Sequence, residues 1–536
     1  MNLAAIHEAI AAEIPDRECL VFGDRRFTWH QVTDRTRRLA AVLKGAGLGF
    51  RQEREGLENW ESGQDHVALY LYNGNEYLEG MIGALKARCA PFNVNYRYVE
   101  EELLYLFDNA DAKAVIFHAC FSPILEKLRD RLPQVRLWLQ VADDSGESLE
   151  GALDYEEALA AAEPEPPLGL TPDDLYILYT GGTTGMPKGV LWRQEEIIKA
   201  ALMPPRVEPT QAALVARAKQ GSSVRSLPTP PFMHGAAHWA ALTMWHVGAC
   251  VVVQSKPRTL DADDIWRTVE REKVTAMTIV GDAFARPLLE GLAKGDYDVS
   301  SLRTIGSGGA ILTASTKNEL LEALPQIRIL DVLGSSESGH QGTQISRSGA
   351  KATTGDFELE SGNFVLNEEL TAILPPGSAQ TGWLARSGPV PLGYYKDAEK
   401  TGRTFPTIDG VRYSVPGDRC LASADGSLKL LGRDSVTINS GGEKIFAEEV
   451  EQALKHHPAV FDAVVTGIPH ERFGQQVAAI VQLREGRSAG EDELRAACEA
   501  HLARYKLPRV IVFIDQIVRA PSGKADYRWA REIAEQ

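Results

Sequence analysis

Cysteine is scarce in this sequence, and the cysteines present exclude two classes of protein. The 536 residues contain six cysteines, which are widely scattered and form no CxxC pair, and none of the twelve histidines belongs to an HExxH motif. Disulfide scaffolds and zinc sites both show characteristic spacings of these residues. Neither is indicated here, and we expect buried, reduced thiols.

Positive charge is also in deficit. Lysine and arginine number 57 against 73 aspartates and glutamates, which gives a formal net charge of −16 at pH 7. A long-range field of this sign repels nucleic acid and anionic membrane surfaces. We therefore expect no nucleic-acid partner, and an anionic substrate must meet a local basic site.

Long apolar runs are missing as well. Residues 1–8 contain no basic segment with a long apolar stretch behind it, and no part of the sequence reaches the apolar length of a membrane span. We expect a cytoplasmic enzyme without an integral membrane segment. A chain of this length exceeds one hydrophobic core, so two or more domains are predicted. The oligomeric state stays open, a homodimer included.

What the sequence does contain is a glycine- and threonine-rich loop behind an apolar run of strand length at residues 175–179. The loop consists of Thr180, Gly181, Gly182, Thr183, Thr184, Gly185, Met186, Pro187, Lys188 and Gly189. Glycines let backbone N–H groups turn inward, threonines add hydroxyls, and lysine adds a charge, which together favour phosphate binding. The Walker pattern is excluded, because Pro187 stands where its second glycine belongs and Gly189 where its hydroxyl residue belongs. A flexible surface turn is the alternative interpretation.

The loop resembles the signature (S/T)-G-(G/S)-T-T-G-x-P-K-G of the adenylate-forming superfamily, which includes acyl-CoA synthetases. Later segments are similar to the remaining motifs of that family, in the same order along the chain. These segments contain Gly308, Gly309 and Ala310; Ser335, Ser336 and Glu337; Asp418; Arg433; Ser440, Gly441 and Gly442; and Gly523 and Lys524.

The resemblance implies a role for each of these residues. The loop from Thr180 to Lys188 would hold pyrophosphate, and the 308–310 turn would let substrate and adenine approach the backbone. The segment 335–337 would meet phosphate through its hydroxyl and Mg²⁺ through Glu337, a hard carboxylate ligand suited to that ion. Asp418 and Arg433 would contact the ribose.

Three further roles concern the acid and the thiol. By resemblance, His234 lies at the mouth of the acyl pocket, and Lys524 binds the substrate carboxylate and the α-phosphate. The segment 440–442 reaches the thiol channel after a rotation of the C-terminal domain. The sequence departs from the family at Leu333, where an aromatic residue is common near adenine, and at Ser435, where the hinge usually carries Asp or Lys.

The predicted fold is α/β. Strand-like runs at 67–71, 114–117 and 137–141 alternate with amphipathic helical runs, a pattern typical of parallel α/β layers. The resemblance implies a large multi-layer α/β N-terminal domain, residues 1–432, and a small mobile α+β C-terminal domain, residues 433–536. In the latter, three strand runs are predicted with two helices between them.

The implied activity is that of an AMP-forming acyl-CoA ligase, an acid–thiol ligase that uses ATP, Mg²⁺ and coenzyme A. Segments 93–99, 231–236 and 281–288 look most like the actinobacterial branch that activates steroid side-chain acids, which predicts a bulky polycyclic substrate of steroid or terpenoid type. Open alternatives are a long-chain fatty acyl-CoA synthetase, an enzyme specialised in one half-reaction and a carrier-protein-loading acyl-AMP ligase. A luciferase-type oxidative enzyme and a nucleotide-binding pseudoenzyme are the more distant alternatives.

Overall fold

The computed structural model describes residues 1–180, 186–440, 443–520 and 523–536. The chain opens with α1 (Leu3–Glu13), β1 (Glu18–Phe22), β2 (Arg25–Thr28) and α2 (Trp29–Gly45). Helix α2 begins with a capping box, in which Thr28 and Gln31 each accept a hydrogen bond from the other's backbone N–H. All six cysteines are unpaired.

The predicted parallel α/β layer forms next in the chain. Its elements are β3 (His66–Tyr70), α3 (Asn75–Lys86), β4 (Ala90–Asn93), α4 (Glu100–Asn109), β5 (Ala112–His118), α5 (Ser122–Arg129), β6 (Leu137–Val141), β7 (Leu153–Asp154) and α6 (Tyr155–Ala161). The five strands lie in the order β4-β3-β5-β6-β7 and are all parallel. Strand β3, which lies between β4 and β5, is buried along its whole length, as expected for a sheet covered by helices on both faces.

A second, larger sheet carries several of the predicted site segments. Residues 175–347 form β8 (Leu175–Thr180) and β9 (Lys188–Arg193), which lie outside that sheet, and then α7 (Gln194–Ile197), α8 (Gln211–Lys219), β10 (Arg225–Pro228), α9 (Gly235–Trp245), β11 (Cys250–Val253), α10 (Ala262–Glu272), β12 (Ala276–Ile279), α11 (Gly281–Lys294), β13 (Thr304–Gly308), α12 (Ala314–Ala323), β14 (Arg328–Ser335) and β15 (Gly339–Arg347). Strands β1, β11, β10, β12, β13 and β14 run parallel. Their carboxyl ends therefore meet at one edge, the place where open α/β sheets bind ligands.

The glycine turn predicted at residues 308–310 begins one residue later in the structure. Strand β13 continues through Gly308, which pairs with Val332 of β14. The ladder to the neighbouring strand holds Gly308 extended, and the turn begins at Gly309, whose φ of +86° favours glycine.

The large sheet continues as antiparallel strands. These are β16 (Asp356–Leu359), β17 (Asn363–Leu366), β18 (Gly382–Ser387), β20 (Thr407–Ile408), β21 (Val411–Ser414), β22 (Asp418–Ala422) and β23 (Leu428–Arg433), while β19 (Gly393–Tyr394) joins β9 and β8 in a separate sheet and α13 (Ala398–Thr404) follows it. The two strands that carry the predicted ribose contacts are neighbours in this part of the sheet, β22 and β23.

The C-terminal part forms its own sheet. Its elements are β24 (Ile438–Ser440), β25 (Glu443–Ile445), α14 (Ala447–Lys455), β26 (Val460–His470), β27 (Gly474–Leu483), α15 (Glu491–Glu499), β28 (Val510–Phe513) and α16 (Tyr527–Ala534). The prediction of two helices between three strands is wrong in one detail, because β26 and β27 form a direct antiparallel hairpin. Helix α15 and a 3₁₀ turn, Arg504–Lys506, both lie between β27 and β28.

Within the described residues, every helix is too short or too polar to cross a bilayer.

Candidate active site

A cavity of about 1340 Å³ opens where the carboxyl ends of the large sheet face the C-terminal domain. Predicted site residues that line it are Thr180, His234, Gly308, Gly309, Ser335, Ser336 and Lys524. The cavity also touches the junction between the domains at residues 435–438. Residues far apart in sequence therefore converge at one place, as the motif order predicts.

The two strands on either side of the phosphate loop, β8 and β9, pair antiparallel. Thr180 ends β8 and pairs in register with Lys188, the first residue of β9. The ammonium of Lys188 forms an ion pair with Asp397, the N-cap of α13. Partial burial alone would raise the pKa of the Asp397 carboxyl, but the hydrogen bond from Lys188 helps to lower it below its usual value. The predicted residues Gly181, Gly182, Thr183, Thr184 and Gly185 lie outside the described part of the chain.

Glu337 lies in the short connection between β14 and β15. Its Oε1 accepts a hydrogen bond of 2.9 Å from the hydroxyl of Tyr394, and its backbone carbonyl accepts one of 2.7 Å from Ser414. Burial and this carboxylate raise the pKa of Tyr394, so the phenol remains a donor.

The surroundings of Glu337 fit a magnesium ion that arrives with a nucleotide. Among the described residues no group of three or more His, Cys, Asp or Glu side chains could hold a metal. Mg²⁺ is commonly held by one or two carboxylates together with substrate phosphates. Within the part of the chain that the structure describes, the Glu337 carboxylate has one orienting hydrogen bond, to Oε1, and a carboxylate oriented in this way suits that arrangement.

The predicted ribose contacts are already paired. Arg433 donates from Nε to Oδ1 of Asp418 over 3.1 Å, and the two residues face each other across β22 and β23. The Asp418 carboxylate is the main cause of a raised pKa of Arg433. The pairing leaves the Oδ2 oxygen of Asp418 to accept hydrogen bonds from sugar hydroxyls.

Lys524 projects into the cavity from the C-terminal domain. Its side chain is exposed to the cavity, yet its ammonium is surrounded by protein, and this desolvation is the main cause of a lowered pKa. Arg433 lowers the pKa further, whereas Glu337 and Asp418 raise it. A cation on the wall of this cavity, partly desolvated by the protein around it, favours the binding of a carboxylate or phosphate.

His234 lines the same cavity as this lysine. It is the N-cap of α9, and burial followed by the charge of Lys524 lowers its pKa to about 3. The imidazole is therefore neutral near pH 7. Its buried Nε2 has no hydrogen-bond partner among the described residues, so it remains available to a group that enters the cavity.

Six predicted site residues within the described chain are not part of the cavity lining, namely Lys188, Ala310, Glu337, Asp418, Arg433 and Ser440. Ala310 packs against the core cluster beneath β12 and β13, and Ser440 ends β24 in the small sheet. Leu333, in the place of an aromatic residue, is 8% exposed and belongs to a core cluster with Phe357 and Val365. Gly441 and Gly442 lie outside the described residues.

Two polar residues near the site escaped the sequence interpretation. Asp397 holds Lys188, and Lys400 places its ammonium 4.5 Å from the centre of the Tyr394 ring. Burial and the charge of Lys188 lower the pKa of Lys400. Nothing in the sequence around these two residues indicates that they lie near the phosphate loop.

One branch of the cavity has a floor of small side chains. Ser226, Ala276, Thr278, Thr304 and Gly306 lie on parallel strands of the large sheet and line the cavity. Trp239 and Met244 of α9 line it as well. Small residues on the floor leave room for a wide apolar ligand.

Two family descriptions match the chain. "AMP-binding enzyme" matches residues 7–395, and "AMP-binding enzyme C-terminal domain" matches residues 449–524. The chain is 53% identical to the medium-chain acyl-CoA ligase Mig of Mycobacterium avium over 540 residues, which covers 99% of this chain and 98% of that protein. It is 40% identical to a 3-oxocholest-4-en-26-oate–CoA ligase of Rhodococcus rhodochrous over 547 residues, which covers 99% and 96%.

A solved structure agrees with the fold. The anthranilate CoA ligase AuaEII in complex with anthranoyl-AMP superposes with a TM-score of 0.84 at 23% identity, covering 100% of this chain and 97% of that one. The predicted α/β architecture with a large N-terminal and a small C-terminal domain is confirmed.

Proposed function

The chain belongs to the family of AMP-binding enzymes and is an acid–thiol ligase of the acyl-CoA synthetase kind, and on that premise we propose that it joins a bulky hydrophobic carboxylic acid to coenzyme A through an acyl-adenylate. One observation carries the proposal: Lys524 is brought together with Glu337, Asp418 and Arg433 beside the cavity that Thr180 and Ser336 line.

In the first step a carboxylate oxygen of the acid attacks the α-phosphate of ATP, and pyrophosphate leaves. A carboxylate alone is a poor acyl donor because its leaving group would be oxide, whereas the mixed anhydride has AMP as leaving group. Negative charge accumulates on the phosphates, so fixed cations stabilise this step more than acid–base groups do. Lys524 would hold the carboxylate and α-phosphate together, and Lys188 with the 180–185 loop would hold the pyrophosphate.

The remaining nucleotide contacts follow from the geometry of the strands. Mg²⁺ bound at Glu337 would neutralise charge on the phosphate oxygens. Asp418, oriented by Arg433, would accept hydrogen bonds from the ribose hydroxyls, and Gly308 and Gly309 would let adenine and the acid approach the backbone.

In the second step the thiol sulfur of coenzyme A attacks the acyl carbon, a thioester forms and AMP leaves. Ser440 ends a strand outside the cavity lining. We propose that the C-terminal domain rotates between the steps, which withdraws Lys524 and brings residues 440–442 to the thiol.

The proposed hinge lies between two sheets. Arg433 pairs with Asp418 inside the large sheet, whereas Ile438 pairs with Ile445 in the small one. A division of the chain into residues 1–432 and 433–536 falls at the end of β23, whose last residue, Arg433, still belongs to the large sheet. Ser435 lies just beyond, in the 3₁₀ turn Asp434–Val436.

The substrate we favour is a polycyclic, steroid- or terpenoid-type acid. The small-residue floor formed by Ala276, Thr278 and Gly306 supports it, as does the name of the Rhodococcus relative. A medium- or long-chain fatty acid is the second candidate, since the relative at 53% identity is named a medium-chain acyl-CoA ligase. A location in the cytoplasm stays a prediction.

An acid panel tests the proposal. Purified protein is incubated with ATP, Mg²⁺ and coenzyme A plus acetate, benzoate, octanoate, palmitate or 3-oxocholest-4-en-26-oate, and both acyl-AMP and acyl-CoA are measured by mass spectrometry. We expect the highest kcat/KM for the steroid acid; a higher value for octanoate or palmitate would instead select the second candidate.

Omission of coenzyme A is the matched control and should leave acyl-AMP without thioester. Preference for acetate or benzoate would contradict the proposed substrate. Formation of acyl-AMP with no thioester from free coenzyme A would favour a carrier-protein-loading ligase or an enzyme of one half-reaction.

A further inference from the structure

A buried arginine of the large domain binds the backbone of the C-terminal domain. Arg286 lies one turn into α11 and is 3% exposed. Its Nη1 donates to the carbonyl of Val460 over 3.1 Å and also to the carbonyl of Phe461. The guanidinium carbon lies 5.9 Å from the centre of the Phe461 ring.

The two carbonyls are available because β26 begins irregularly. Val460 pairs with Leu483 of β27 and Asp462 with Gln482, so Phe461 has no partner on the neighbouring strand. Such a bulge leaves the extra residue outside the ladder, and a buried carbonyl without a donor is costly. Arg286 supplies that donor from the other domain.

The residue after the bulge connects this contact to Lys524. Asp462 accepts two hydrogen bonds from Arg519, of 2.6 and 2.8 Å, and a third contact of 3.1 Å comes from Lys455. Arg519 also donates from Nη1 to the carbonyl of Gly523 over 3.1 Å. The turn that carries Lys524 is thus tied to the strand end that Arg286 binds.

The same turn rests on the start of α11. A Cβ built on Gly523 would lie 3.1 Å from Cγ1 of Val280 and 3.3 Å from Cβ of Ala283. With φ at +74°, Gly523 both allows the turn and permits this close approach. Residues 280–286 of the large domain therefore support the lysine from two directions.

The hydrogen bonding of Arg286 is incomplete. Its Nε and Nη2 have no hydrogen-bond partner within the described chain, and the carboxylate that faces it, Asp282, lies 3.7 Å away. A buried guanidinium with unsatisfied donors carries a desolvation cost. The contact can therefore hold the two domains together and still be reversible, because water solvates the guanidinium of Arg286 when the domains separate.

We propose that Arg286 is a positioning residue for the adenylate-forming half-reaction: by binding the Val460 and Phe461 carbonyls, it holds the C-terminal domain where Lys524 faces the cavity. The inference rests on the proposed function. In the thioester-forming step, with the C-terminal domain rotated, this contact has no part.

The test compares Arg286→Met with wild type in two separate assays. Acyl-AMP formation is measured with ATP and acid, and thioester formation with supplied acyl-AMP and coenzyme A. We expect acyl-AMP formation to fall roughly tenfold to hundredfold through kcat, with thioester formation within about twofold of wild type, because hydrogen bonds from a charged donor are the strong ones. Arg286→Lys should recover most of the loss, as a lysine can still donate to a carbonyl.

The matched control is Arg484→Met. Arg484 also crosses between the domains, to Glu319 at 3.5 Å, but this pair is solvent-accessible and should contribute little. Asp282→Asn keeps the acceptor for Thr313 and should lower acyl-AMP formation selectively, by roughly threefold. This variant tests the inference if Arg286→Met does not fold.

Equal loss of both half-reactions in these variants, or no loss of acyl-AMP formation, would overturn the inference. If wild type forms no acyl-AMP from any acid in the panel, the proposed function itself fails. The two failures are therefore distinguishable.

Discussion

The two sides of the cavity are built in different ways. On the large-domain side, the predicted site residues lie at the ends of paired strands: Thr180 pairs with Lys188, and Asp418 with Arg433. On the small-domain side, Lys524 sits on a turn held by Arg519 and by contacts across the domain boundary. The first arrangement distributes binding over several groups, whereas the second depends on one side chain and on the relative position of two domains.

The largest effect is expected on the small-domain side, at Lys524. Lys524→Ala should lower acyl-AMP formation at least about a hundredfold, because it removes the cation at the reacting carboxylate and α-phosphate. Conversion of supplied acyl-AMP to thioester should stay within a few-fold of wild type, since Lys524 is withdrawn in that step. Release of pyrophosphate and formation of thioester are the two measurements.

Arg487→Ala is the control for this variant, because Arg487 is an exposed cation of the same domain and should leave both rates unchanged. If Lys524→Ala reduced both half-reactions to the same extent, the proposed division of labour would be wrong.

A smaller loss of acyl-AMP formation is expected on the large-domain side, where several groups share the binding of phosphate. Lys188→Ala should lower acyl-AMP formation roughly tenfold, expressed mainly as a higher KM for ATP, because the backbone donors and hydroxyls of the loop remain. Steady-state pyrophosphate release at varied ATP concentration measures it. Lys396→Ala is the control, as this nearby lysine pairs with Asp111 instead. A loss equal to that of Lys524→Ala would remove the distinction between the two sides.

Sequence reasoning predicted the large-domain side well, for a physical reason. The apolar run before Thr180 is a strand buried on both faces, and the glycines and threonines behind it mark where the strand must end. Because parallel strands end at one edge, residues such as Ser336 and Gly308 are brought together once each strand is assigned. The architecture is confirmed, while the roles of the site residues stay predictions.

Interactions between side chains distant in sequence could not be predicted. The pairing of Lys188 with Asp397 spans more than two hundred residues, and nothing in either segment indicates the other. The bulge at Phe461 and its hydrogen bond from Arg286 could not be predicted either. The local sequence patterns there are those of an ordinary strand and an ordinary helix. Tertiary packing decides such contacts, and periodicity carries no information about them.

The smallest expected effect concerns the hinge that separates the two sides. The carboxyl of Glu448 lies against the hinge: its Oε1 accepts from the backbone N–H of Arg433 over 3.3 Å, and its buried Oε2 has no partner in the described chain. Burial, with nearby Glu451, raises the pKa of Glu448 to about 8. The folded protein therefore keeps a neutral carboxyl here at pH 7.

This raised pKa predicts how stability depends on pH. Below the unfolded pKa of 4.5, both states are protonated and the contribution of Glu448 to stability is fully present. Between that value and about 8, the unfolded chain loses the proton while the folded protein keeps it, so stability falls as pH rises, and above about 8 the loss is complete. Glu448→Gln keeps the acceptor for Arg433 but does not titrate. The difference in unfolding temperature, Glu448→Gln minus wild type, should therefore be larger at pH 8.5 than at pH 5, by at least about 2 °C.

Thermal unfolding at both pH values measures the effect, with Glu443→Gln, an exposed glutamate of the same domain, as the control that should show no such change. A difference between Glu448→Gln and wild type that is equal at pH 5 and pH 8.5 would mean that Glu448 is ionised in the folded protein. The hinge would then carry a buried negative charge beside Arg433, and the small domain would be attached to the large one by an ion pair. If the Glu448 carboxyl is neutral, Arg433 instead forms its ion pair with Asp418 on the large-domain side, as the 3.1 Å contact between them indicates.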